Sequence, residues 1–68
     1  MRTVEKKKGG ELYNSLLKHC KKQYKDIETI QKAYAEDGKI FGIDYIDKNG
    51  MSCISSGTAY ADKVIIFI

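Results

Sequence analysis

The final five residues of the sequence, Val64-Ile65-Ile66-Phe67-Ile68, are all apolar. A strand with one wet face alternates apolar and polar side chains, so an unbroken run asks for cover on both faces. A chain of 68 residues has little cover to give, because at this size only roughly 60% of the unfolded surface is buried on folding. Domains this small make up the deficit with disulfides, a metal or oligomerisation. Two cysteines, Cys20 and Cys53, and a single histidine, His19, are too few for a disulfide framework or a zinc site. No metal or cofactor is expected, and self-association is the remedy left. Ile65, Ile66, Phe67 and Ile68 are the expected oligomer interface.

Upstream, the apolar spacing reads as a helix over residues 11–36. Tyr13, Leu17, Cys20, Tyr24, Ile27 and Tyr34 step by threes and fours, and Leu12, Leu16 and Ile30 widen the stripe. Glu36-Asp37-Gly38 ends it, with Gly38 placed for a left-handed C-cap. A single helix of that length runs about 40 Å and overhangs strands of about 20 Å. Either it breaks near Lys25-Asp26, where Asp26 caps a second segment, or the spare length packs on another subunit. The single helix is preferred.

Residues 39–56 read as a hairpin. Two strand-like runs flank Asp47-Lys48-Asn49-Gly50, and two registers compete. A two-residue turn at Asn49-Gly50 sets Tyr45 opposite Ile54. A type I turn with Gly50 as a bulge sets Tyr45 opposite Cys53 and gathers Phe41, Ile43, Tyr45, Met51 and Cys53 on one face. The second keeps the faces apart and is the one expected. Residues 57–62 then turn the chain into a third strand over residues 63–68. The predicted fold class is α+β: one long, possibly broken N-terminal helix packed on a three-stranded antiparallel meander in two layers. Residues 1–10 form a basic arm or a weak edge strand, and residues 11–68 a single domain.

Charge is unevenly spread. Residues 1–25 hold eight Lys/Arg against Glu5 and Glu11, while residues 26–68 hold four lysines against seven acids. Lys18, Lys21, Lys22 and Lys25 fall at i, i+3, i+4 and i+7, a single helical stripe nearly opposite Tyr13, Leu17, Cys20 and Tyr24. Such a stripe is either an ordinary solvated face or a docking surface for phosphates or an acidic protein. The tyrosines share the buried side, which speaks against stacking on bases.

Catalytic signals are absent. His19 has no evident nucleophile beside it. Ser52, Ser55, Ser56 and Thr58 are explained by strand and turn roles, and Cys20 and Cys53 by burial. Residues 47–50 lack the upstream acid and closing glutamate of a calcium loop. Asp44, mid-strand on the face opposite the helix, needs a partner if buried. No signal peptide or membrane-spanning stretch is evident, and unpaired thiols suit a reducing cytoplasm. The lack of proline and tryptophan beside plentiful lysine, isoleucine and tyrosine has the flavour of a low-GC bacterium or its phage. The expected function is therefore that of a small non-enzymatic, homo-oligomeric binding protein, an inhibitor or adaptor that docks on a larger protein through Lys18, Lys21, Lys22 and Lys25. Nucleic-acid binding through the same lysines and an anionic ligand held between subunits are the alternatives.

Overall fold

The computed structural model describes residues 2–54 and 60–68. They form strand β1 (Arg2–Lys6), helix α1 (Glu11–Gln23) and strands β2 (Ile27–Glu36), β3 (Lys39–Asp47), β4 (Ser52–Ile54) and β5 (Lys63–Phe67). The strands make one mixed sheet in the order β1-β5-β2-β3-β4. β1 runs parallel to β5, and the other neighbours are antiparallel.

α1 crosses one face of this sheet. It begins over β5, where the Tyr13 ring meets Phe67 edge-on at 5.1 Å, and ends over β3, where Tyr24 lies 5.1 Å from Tyr45. Between them Cys20 joins Ile27, Ile30, Ala33, Ile43 and Ile65 in the core. Ile27 and Ile30 are the two largest side chains taken fully from water.

The long helix on a three-stranded meander is not what forms. Helical spacing holds through Gln23 and then gives way to the longest strand of the sheet. The cause lies in the ladder between β2 and β3, where Ile27, Thr29, Ile30, Lys32 and Ala33 face Asp47, Ile46, Tyr45, Asp44 and Ile43. Glu28 and Gln31 are extra residues in the ladder. Each bulge adds one residue to the period of two. Ile27, Ile30 and Ala33 are therefore buried three apart, a spacing that imitates a helix. Asp37 and Gly38, read as a helix stop, have φ of 53° and 76° and link the paired residues Glu36 and Lys39. Two positive φ values in a two-residue connection define a type I′ hairpin turn, which Asp-Gly favours.

The 47–50 hairpin forms in the bulged register, with Tyr45 opposite Cys53. Gly50 has φ of 81° and its N–H donates to the Asp47 carbonyl at 3.0 Å. Asp47 Oδ1 accepts the Asn49 and Met51 N–H groups, each at 2.9 Å. Phe41, expected on the same face as Ile43 and Tyr45, is instead 41% exposed as the unpaired residue of a third irregularity, between the Gly42–Tyr34 and Ile40–Ala35 pairs. Ile40 packs on the core in its place. β5 does not extend the hairpin as a third meander strand but lies between β1 and β2. Ser55, Ser56, Gly57 and Thr58, expected in a strand end and turn, lie outside the described residues.

Candidate functional site

Lys18, Lys21 and Lys22 are exposed on α1, on the side away from buried Tyr13 and Cys20. Lys25, the expected fourth member, lies past the end of the helix. Tyr24 has turned extended (φ −120°, ψ 92°), although its N–H still donates to the Cys20 carbonyl at 2.7 Å. That turn sets the Tyr24 ring against Tyr45. The Lys48 N–H donates to the Asp26 carbonyl at 2.8 Å and the Ile27 N–H to the Tyr24 carbonyl at 3.2 Å. The fold thus brings Lys48 beside the 24–26 turn, next to the end of the lysine stripe. Nothing in the local sequence signals this neighbour, because only the β2–β3 pairing creates it.

A groove of about 90 Å³ lies between α1 and β3, lined by Leu16, His19, Cys20, Gln23 and Tyr24 on one side and residues 40–43 on the other. Pockets for small organic ligands run about 300–1,000 Å³, so this one admits no more than a side chain. His19 and Cys20 adjoin here without forming a nucleophilic pair. Cys20 is 5% exposed, and burial pushes its thiol upward, away from the reactive thiolate. Among the described residues no group of three His, Cys, Asp or Glu could hold a metal ion. Asp47, the acid of the 47–50 turn, has Oδ1 engaged by its own turn.

The four residues expected at an oligomer interface divide between two faces. Ile65 and Phe67, each 4% exposed, point under the helix and belong to the core. They are not available to a partner, because the chain's own helix covers them. Ile66 lies on the other face and is half-buried, and Ile68, beyond the end of β5, is 66% exposed. Cross-strand pairs place Ile66 beside Lys32, Lys32 beside Asp44, and Asp44 beside Ile54 on that open face.

Asp44 has a partner that the sequence reading missed. The Tyr34 hydroxyl donates to Asp44 Oδ2 at 2.7 Å, and this bond to a carboxylate pushes the Tyr34 phenol up to about 12. The other oxygen, Oδ1, is out of solvent and has no hydrogen-bond partner. On the helix side the Tyr45 phenol is also raised, chiefly by the neighbouring Cys53 thiol. The recurring hydrophobic period could have flagged Tyr34 as one turn from Ile30, but only a strand assignment puts it across from Gly42 and near Asp44.

Among the described residues no helix is long and apolar enough to cross a membrane. No protein-family model, curated protein or solved structure matches the chain.

Proposed function

We propose that this chain is a small non-enzymatic binding protein that acts as a homo-oligomer and docks, as an inhibitor or adaptor, on an acidic surface of a larger protein. The observation that carries the reading is the outward side of α1. Lys18, Lys21 and Lys22 are all exposed there, with Lys25 and Lys48 at its end. Exposed like charges on a rigid helix favour encounter with an oppositely charged partner and set its approach. A reducing cytoplasm, in a bacterium or its phage, is the setting we assign, since Cys20 and Cys53 are both unpaired.

Nucleic acid is the weaker partner for the same lysines. Tyr13 is buried, Tyr24 and Tyr45 pack on each other, and Tyr34 is bonded to Asp44. These four rings offer no stacking platform beside the stripe.

The test changes Lys18, Lys21, Lys22 and Lys25 together to Gln, which leaves the core untouched. A protein recovered from the native host on the wild-type chain should associate more slowly with the variant, with release little changed, because exposed charges act mainly on encounter. Duplex DNA or RNA bound tightly by the wild type at about 150 mM salt, and lost in the variant, would replace the protein reading with the nucleic-acid one. Four phosphate contacts would give a log–log salt slope of about −3 to −4.

A further inference from the structure

We infer that two copies of the chain pack their open sheet faces together about a two-fold axis, with Lys32 of each copy paired to Asp44 of the other. The inference rests on the homo-oligomer reading and gives it a surface.

The argument starts from one row of side chains across the open face. Register places Glu5 beside Ile66, Ile66 beside Lys32, Lys32 beside Asp44, and Asp44 beside Ile54. From β5 to β4 the order is apolar, basic, acidic, apolar. Consider a two-fold axis lying between the facing sheets, parallel to the strands and midway between β2 and β3. It carries each copy's β2 over the partner's β3 and each β5 over the partner's β4. Lys32 then lies over Asp44 and Ile66 over Ile54, and each contact occurs twice, as an isologous interface requires. Stacked sheets sit about 10 Å apart, a gap that a lysine and an aspartate can bridge from opposite sides.

Two further observations favour a second copy here. Lys32 is exposed and Asp44, its neighbour in the row, is only half-buried. An ammonium from the partner supplies a donor to that carboxylate. Ile54 is 70% exposed and Ile68 66%, large apolar side chains whose burial is favourable. The row also argues against head-to-tail packing of the lysine-bearing helix on this face. Its charges include Lys32 as well as Glu5 and Asp44, so it is no acidic counterpart to the stripe, and such a contact would propagate into open chains.

The test is sedimentation equilibrium at micromolar concentration on the wild type, Lys32→Glu, Asp44→Lys, an equimolar mixture of those two variants, and Ile54→Glu. The wild type should be a dimer. Either charge reversal alone opposes like charges at both contacts and should weaken the dimer about tenfold or more. One chain of each kind places opposite charges at both contacts, so mixing should restore dimers. Pairing within a chain cannot produce that rescue. Ile54→Glu changes an exposed edge residue outside the core and should also dissociate the dimer, which keeps the test open if a charge variant fails to fold. A wild-type monomer overturns both the inference and the homo-oligomer reading. A wild-type dimer that ignores all three substitutions, or a mixture that stays monomeric when its parents do, overturns the pairing and leaves self-association through another surface.

Discussion

The Tyr34 hydroxyl and Asp44 Oδ2, 2.7 Å apart, couple the stability of the fold to alkaline pH. The phenol titrates near 10 in an unfolded chain and at about 12 in the folded one. Below pH 10 both states keep the proton, so the bond contributes its full stabilisation. Between pH 10 and 12 the unfolded chain loses the proton first, and that contribution falls. Tyr34→Phe removes the donor and leaves a carboxylate with neither oxygen bonded. It should cost about 1.5 kcal/mol at pH 8, the low end for a bond to a charged group because Tyr34 is only partly buried. Urea denaturation at several pH values checks this: the gap between wild type and variant should narrow from pH 10 to 12. A gap that stays constant would mean that the bond is absent in solution.

At the scale of elements, the decisive contact is the one between α1 and the bulged part of β2. β5 pairs with β2 only from Lys32 to Ala35, so the Ile30 N–H has no strand partner on that side. Tyr13 supplies one, its hydroxyl oxygen accepting the buried N–H at 3.3 Å. Tyr13→Phe keeps the ring on Phe67 but orphans a buried backbone donor, which costs about 1–2 kcal/mol. Chemical denaturation should find that loss, together with faster amide exchange at Ile30. An unchanged midpoint would detach the helix from the bulge. This region also explains what could be read from the sequence and what could not. The hairpin at 47–50 was legible because Asn-Gly and the side-chain alternation are local signals. Helix α1 was legible as far as Gln23 for the same reason. The identity of β2 was not, because the bulges at Glu28 and Gln31 exist only in the ladder with β3, and they convert a period of two into threes. Without that ladder β2 has the spacing of a helix, Asp37-Gly38 has the composition of a helix cap, Tyr34 has no link to Asp44, and Lys25 falls on a helix that in the fold ends at Gln23. Of the candidate site, the three helical lysines needed only local periodicity, whereas Lys48 and the Lys32–Asp44 row needed the register.

Taken whole, the molecule is two layers with different chemistry on its two outer sides. Lysines project from the helix layer, and the sheet layer presents a mixed apolar and charged face. A dimer joined through the sheets would hold two lysine-bearing helices outward, on opposite sides. The order of the strands has a separate consequence, for the rate at which the chain finds this structure. β5 comes last of the five strands along the chain yet lies between β1 and β2. Arg2 must meet Lys63 before the parallel pair can form, so the sheet cannot be zipped up from local hairpins alone. Domains ruled by such distant pairings fold in about milliseconds to seconds, whereas helical bundles need microseconds to milliseconds. The sequence contains no proline, which removes the isomerisation steps of about 10–100 s. In dilute solution, stopped-flow refolding should therefore be a single slow exponential with no prolyl tail, whose rate is limited by the search of the first strand for the last.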